Sequence, residues 1–108
     1  MKYYSGWREG YAVTVTVDGR RLNPRLDLWN HSPTGFEWGY PGSGPAQLAL
    51  AILADHLAND EQALNLHQRF KWAVIAELPS KRWTLTPPEI ERALQNIREQ
   101  EVAAQGSA

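Results

Sequence analysis

The residue types best suited to chemistry lie between Gly35 and Leu57, which read GFEWGYPGSGPAQLALAILADHL. Gly42, Ser43 and Gly44 form a glycine-rich turn before an apolar helix that starts near Pro45. Free N–H groups and the positive end of the helix dipole at such a junction favour a phosphate or small-molecule ligand. The turn lacks the Gly-Lys-Ser/Thr ending of a P-loop, and Pro45 removes one donor. A tight turn that lets the helix pack closely on a sheet is the alternative interpretation.

Aromatic side chains form a second group of candidates. Trp38 and Tyr40 precede the glycine turn, where they would line any groove beside it. Trp72 falls on the polar side of a predicted helix when residues are placed at about 100° intervals. Five tryptophans in 108 residues is an unusual number, and Trp is frequent both in small cores and at protein interfaces. We therefore regard Trp38, Tyr40 and Trp72 as candidate binding residues.

Charge gives a third, local candidate. Eleven basic and twelve acidic residues give a net charge of −1, so no global field attracts nucleic acid. Arg20, Arg21 and Arg25 nevertheless cluster around a predicted turn, where they are candidates for nucleic-acid contact. A solvated surface is the alternative for this cluster.

The sequence predicts no catalytic residue, metal or cofactor. The chain has no Cys, and its histidines are His31, His56 and His67. His56 and His67 would be offset by roughly 7 Å along a helical hairpin at about 1.5 Å per residue, so we expect each His to be a polar or boundary residue. Ser43 does not lie in a GxSxG elbow and is better explained as a turn or N-cap residue.

Short strands must position the first candidates. Period-two alternation of apolar and polar residues predicts an antiparallel sheet. A turn at Asp18-Gly19 would set Val17 opposite Arg20 in a hairpin. The predicted strands cover residues 3–8, 12–18, 20–22, 25–28 and 36–40.

Helices follow the strands. An almost wholly apolar helix to about Leu57 should be the buried centre, and a second helix should run from Glu61 to about Leu78. Thr86-Pro87-Pro88-Glu89 is a capping box that starts a third helix, and Trp83 should pair with the sheet or plug its edge. We predict an α+β fold in which a small antiparallel sheet of three to four strands packs against an αα-hairpin and a third, C-terminal helix. It forms one domain over residues 1–103 with a frayed tail at 104–108.

Composition also bears on location. The chain has no apolar run near the roughly 18 to 20 residues of a membrane span, and the absence of Cys fits a reducing compartment. We expect a soluble cytoplasmic protein with no membrane contact.

The block from Gly35 to Leu57, followed by LHQRFKWAVIAELP and WTLTPPEI, resembles a family of small uncharacterised bacterial and phage-associated proteins. This family is a domain of unknown function with a GFEWGYxGSGPAQLALALL core. The resemblance covers roughly residues 35 to 90, implies a shared fold and a mobile-element setting, and supplies no catalytic residues. Pro41 stands where we expect Gly, which stiffens the loop.

The resemblance and the Trp content together lead us to expect a non-catalytic interaction or regulatory protein. It would be encoded by a phage or mobile element and act through an aromatic surface on a protein partner in a host defence or nucleic-acid-processing complex. A nucleic-acid-binding module that uses Arg20, Arg21 and Arg25 is one alternative. A small-molecule or phosphate binder at Gly42-Ser43-Gly44 is the other.

Overall fold

The computed structural model describes residues 2–106, and side chains over residues 2–103, as one antiparallel sheet and three helices. The strands are β1 (Tyr4–Glu9), β2 (Ala12–Val17), β3 (Arg20–Arg21) and β4 (Arg82–Leu85). The helices are α1 (Ser43–Leu57), α2 (Asp60–Ala73) and α3 (Pro87–Gly106), with a 3-10 turn at Ile75–Glu77. The strand order is β3-β2-β1-β4, which confirms the predicted α+β architecture.

The first three strands form the predicted hairpins. Asp18 and Gly19 both have positive φ, of 50° and 81°, the conformation that a two-residue turn of this kind requires. Val17 therefore lies opposite Arg20. This register confirms the pairing predicted from the sequence.

Two predicted strands are absent from the described sheet. Residues 26–28 form a turn instead of a strand, because Arg25 adopts a left-handed φ of 55° and its carbonyl accepts the Leu28 N–H. Residues 36–40 have no strand partner, since Trp38 is drawn into the core and Gly39 bends the chain at a φ of 87°. Both strand predictions are wrong.

The fourth strand comes from a later part of the chain. β4 pairs antiparallel with β1 and sets Trp83 opposite Gly6. An added Cβ on Gly6 would lie 2.5 Å from the Trp83 ring, so only glycine allows the indole to lie across the strand. This contact confirms that Trp83 pairs with the sheet.

The helices match the sequence at their starts better than at their ends. Asn59 caps α2 by accepting the Gln62 N–H. The helix stops at Ala73 and not near Leu78, because Ile75 turns inward and its carbonyl accepts the Gly39 N–H from a distant segment.

The capping box at the start of α3 is confirmed. Thr86 N donates to Glu89 Oε1 at 3.0 Å, and Glu89 N donates to Thr86 Oγ1 at 3.4 Å. The helix continues to Gly106, so the first three residues of the predicted tail share its last turn. Residues 107 and 108 of that tail lie outside the described residues.

Alternate residues divide the sheet into an inner and an outer face. The inner face packs on the helices through the buried residues Tyr4, Val15, Val17, Trp83 and Leu85. The outer face carries Ser5, Trp7, Thr14 and Thr16 on the two central strands, and these side chains are only partly buried. The molecule is therefore two layers thick, with one sheet face open.

No helix within residues 2–106 combines the length and apolar character needed to cross a membrane.

Candidate functional site

A buried amide in the first turns of α1 holds a long irregular loop. Gln47 is fully buried in an otherwise apolar stretch of the helix. Its Oε1 accepts the N–H groups of His31 at 2.8 Å and Ser32 at 3.1 Å. Its Nε2 donates to the carbonyls of Pro24 at 2.6 Å and Trp29 at 3.0 Å. An amide offers two donors and two lone pairs, so Gln47 is fully satisfied and fixes the backbone of residues 23–32.

This loop brings two histidines together. His31 Nε2 lies 2.9 Å from His67 Nε2, and His67 Nδ1 lies 2.8 Å from the Leu64 carbonyl. A carbonyl can only accept, so Nδ1 of His67 carries the proton. In the neutral pair His67 Nε2 is then the acceptor, and we assign His31 as the tautomer whose Nε2–H donates to it.

The surroundings of the pair keep both rings neutral. Burial is the main cause that lowers the pKa of His31. Electrostatic repulsion from His67 and Lys71 lowers this pKa further. Burial is also the main cause that lowers the pKa of His67, and Lys71 acts in the same direction, whereas hydrogen bonds to the Leu64 and Ala63 backbone oppose the shift. Both imidazoles are therefore uncharged near neutral pH and hydrogen-bonded to each other.

Aromatic rings extend the pair to the surface. Trp29 stacks on His31 with ring centroids 4.9 Å apart and planes 7° apart, yet 56 % of it is exposed. Trp72 is 61 % exposed, and Lys71 Nζ lies 5.2 Å from the centre of its ring. Lys71 follows His67 by one helical turn and directly precedes Trp72 in α2, so we group these residues as one candidate region. We call Trp29, His31, Lys71 and Trp72 the aromatic surface.

The aromatic surface presents groups suited to apolar contact and hydrogen bonding. Over the part of the chain with described side chains, no three His, Asp or Glu groups converge as metal ligands. The two imidazoles meet nearly head-on, with centroids 5.1 Å apart for an N–N distance of 2.9 Å, the arrangement of a hydrogen bond. The region thus offers flat apolar area, one ammonium group and oriented imidazoles.

The predicted aromatic candidates divide between core and surface. Trp72 is exposed, as its helical position indicates. Trp38 is 1 % exposed: its Nε1 donates to the Pro79 and Ser80 carbonyls, and the Arg8 guanidinium lies 4.4 Å from its ring centre. Trp38 therefore lines no surface groove, and its role is to join the core to the segment before β4.

Tyr40 and the glycine turn form a filled junction. Tyr40 is 49 % exposed, and its ring covers Gly42 so closely that a Cβ there would overlap it. A Cβ on Gly44 would lie 2.7 Å from Glu37 Cβ. Gly44 is buried, whereas Ser43 is exposed. Gly42 is the N-cap residue of α1 and provides no side-chain cap.

This junction is poorly suited to a phosphate. The side chain packed on the first turn of α1 is a carboxylate, and Glu37 is ion-paired with Arg8 at 2.7 Å. A carboxylate close to the helix N-terminus disfavours the approach of a second anion. The geometry favours the interpretation of the glycines as residues that allow close packing.

The three candidate arginines line one depression but differ in charge compensation. Arg20, Arg21 and Arg25 border a cavity of about 320 Å³ between β3 and α1, together with Asp55. Arg25 forms ion pairs with Asp27 and Asp60, each at 3.0 Å. These carboxylates raise the pKa of Arg25 and balance its positive charge. Arg20 and Arg21 remain exposed on β3.

Sequence reasoning missed the histidine pair and its anchor. His31 and His67 are 36 residues apart, and no local pattern joins them. One signal was present: Gln47 is the lone polar residue among the eleven buried residues of α1, Gly44 to Ala54. A polar residue within an apolar stretch of helix indicates a buried hydrogen-bonding partner.

Comparisons with curated proteins and with solved structures found no match. The profile of a family of unknown function matches residues 4–96. The matched region contains the whole sheet, α1, α2, the loop held by Gln47 and the first half of α3. The chain therefore belongs to the family of unknown function DUF6166.

Proposed function

We propose that this chain is a non-catalytic interaction protein that binds a protein partner through the aromatic surface. The observation that supports this most directly is the exposure of Trp29 and Trp72, at 56 % and 61 %. The same chain buries Trp38 and Trp83 almost completely. Large exposed aromatic area on a small domain is typical of an interaction site.

The rigidity of Trp29 strengthens the proposal. Its ring stacks on His31, and its carbonyl is bound by Gln47. A side chain that is already ordered loses little conformational entropy when a partner covers it. Tryptophan is also the residue type most enriched among binding hot spots.

Lys71 indicates what the partner presents. Its ammonium group lies 5.2 Å from the centre of the Trp72 ring and forms no ion pair with any other described side chain. A partner with a carboxylate or carbonyl oxygen opposite Lys71, surrounded by apolar side chains, would complement the region.

The biological setting belongs to the same proposal. The resemblance of residues 35–90 to bacterial and phage-associated proteins supports a bacterial or phage-encoded, cytoplasmic protein. We propose that it regulates a host defence or nucleic-acid-processing complex.

Site-specific crosslinking tests the proposal. A photo-reactive amino acid is placed at position 72, at position 29 or, as a control, at position 11, where Tyr11 is fully exposed on the β1–β2 turn. We expect one discrete partner to crosslink from positions 29 and 72 and not from position 11. Equal capture from all three positions, or capture from none, would contradict the proposal.

Binding measurements with the captured partner then give the size of the effect. We expect Trp29→Ala and Trp72→Ala each to weaken binding about tenfold or more, the usual range for a hot-spot tryptophan. Tyr11→Ala is the matched control and should leave the affinity unchanged. Retained thermal stability of each variant shows that the fold is intact.

A further inference from the structure

Strand register places a second set of recognition residues on the outer face of the sheet. Residues directly opposite in antiparallel strands point to the same side. One row across the sheet is Thr14, Trp7 and Arg82. The neighbouring row is Arg21, Thr16, Ser5 and Thr84. The outer face therefore carries a central indole, a line of hydroxyl groups and an arginine near each edge.

A depression beside the indole gives this face a concave site. It has a volume of about 350 Å³ and is lined by Ser5, Gly6, Trp7, Arg82, Trp83 and Thr84. Trp7 Nε1 donates to Glu9 Oε1 at 3.3 Å, which fixes the orientation of the ring. Ser5 Oγ and Thr84 Oγ1 lie 3.5 Å apart along the same strand pair.

The charge of the described outer face is positive on balance. Among the described side chains, Arg21 and Arg82 form no ion pair, whereas Arg8 and Arg25 are paired with carboxylates. Glu9 lies on the same face and offsets one of these two positive charges, and one of its oxygens accepts the Trp7 Nε1–H. The two free guanidinium groups thus flank an oriented aromatic ring.

We propose that this face binds single-stranded nucleic acid. An unpaired base stacks on Trp7, the Ser5 and Thr84 hydroxyls contact its edge or sugar, and Arg21 and Arg82 contact phosphates. Single-stranded chains need an aromatic platform and cations along the backbone, and the open sheet supplies both. Bases in a duplex are already stacked within it, so the site favours single strands.

Nucleic acid suits this face better than it suits the aromatic surface. Trp7 is only partly exposed and lies among hydroxyls and free guanidinium groups, whereas Trp29 and Trp72 expose more apolar area beside one ammonium group. A polar, positive surface complements a polyanion. The inference is independent of the proposed function, because the two regions share no residue.

Fluorescence anisotropy with labelled oligo-dT and oligo-U of about twelve nucleotides tests the inference. We expect binding at about 50 mM salt that weakens with a log–log salt slope of about −1.4, the value for two phosphate contacts on a single strand. The two oligonucleotides show whether DNA or RNA is preferred. No binding of either one, or tighter binding of a duplex of the same length, would overturn the inference.

Variants assign the binding to this face. Trp7→Ala should weaken binding about tenfold. Arg82→Ala and Arg21→Ala should each weaken it several-fold and halve the salt slope to about −0.7. Because Arg82 is exposed, Arg82→Glu provides a second test that leaves the core untouched, and it should abolish measurable binding.

Two controls separate this site from others. Arg92→Ala removes an exposed arginine on α3 and should leave the affinity and the slope unchanged. Trp72→Ala should also bind normally. Binding that is insensitive to Trp7 and Arg82, or as sensitive to Arg92 as to Arg82, would refute the assignment.

Discussion

Two segments meet the first turns of α1, and they differ in how they are held. The glycine turn at residues 42–44 is packed by Tyr40 and Glu37 against backbone that has no room for a Cβ. The loop at residues 23–32 is held by the four hydrogen bonds of Gln47. It turns Trp29 outward and His31 toward the buried His67. Close packing therefore fills the first segment, whereas the anchored second segment presents Trp29 to solvent.

This difference shows which sequence features indicate a candidate functional site. Glycines before a helix are conspicuous, and here they serve close approach. A single polar residue in an apolar helix is inconspicuous, and here it organises the region richest in exposed aromatic and titratable groups. Buried hydrogen bonding is thus a better guide to the candidate site than the glycine motif.

The largest expected effect comes from removing the anchor. Gln47→Leu should destabilise the protein by about 3 kcal/mol or more, because it leaves backbone donors and acceptors of the loop without partners and each such group costs about 1–3 kcal/mol. Urea denaturation measures the loss. Gln95→Leu, on the exposed side of α3, is the matched control and should stay within about 0.5 kcal/mol. Similar small changes for both variants would show that the loop is not held by Gln47.

A smaller effect is expected at the glycine turn. Gly44→Ala should lower the free energy of unfolding by about 1–2 kcal/mol. The new Cβ would meet Glu37 Cβ, which cannot rotate away. Gly42→Ala should cost less, because the ring of Tyr40 is half exposed and can swing outward. Thermal unfolding of the two variants gives the comparison. A neutral or stabilising Gly44→Ala would mean that the junction has room for a ligand after all.

The smallest expected effect is the pH dependence of the histidine pair. Both histidines have a pKa lowered below the usual value of about 6.5, so between the folded and unfolded pKa values the unfolded chain binds more protons than the folded one. Their contribution to stability is therefore present above about pH 6.5 and decreases as the pH falls below it. We expect a loss of about 1 kcal/mol that comes mainly from the buried His67, because His31 is partly exposed and solvent screens its charge.

The pair of variants His31→Gln and His67→Gln checks this assignment. The free energy of unfolding is measured from pH 7.5 to 5 for each variant and for the unmodified chain, with about half-unit steps. The difference between the curves should grow smaller as the pH falls. Parallel curves would show that the pair does not titrate with folding.

Local patterns predicted those parts of the fold that local contacts determine. The Asp18-Gly19 turn and the Thr86–Glu89 capping box depend on residues at most three positions apart, and both are as expected. The apolar run of α1 likewise identifies the centre of the core. Helical periodicity is a local property, and it places Trp72 on the polar side of its helix, where the structure leaves it exposed.

Long-range contacts decided the rest. Residues 36–40 alternate like a strand, yet the buried Trp38 and the hydrogen bond from Gly39 to Ile75 hold them outside the sheet. Residues 26–28 also alternate, but the ion pairs of Arg25 with Asp27 and Asp60 stabilise a turn. The histidine pair escaped prediction for the same reason, since its partners meet only after α1 and α2 have packed.

Gln47 contacts its loop through main-chain atoms alone: two carbonyl oxygens and two N–H groups. The anchor is therefore indifferent to which side chains the loop carries at positions such as 29 and 31. One scaffold can then display different residues there while keeping the same backbone path. Exchange of the side chains at these positions would therefore leave the four hydrogen bonds that hold the loop in place.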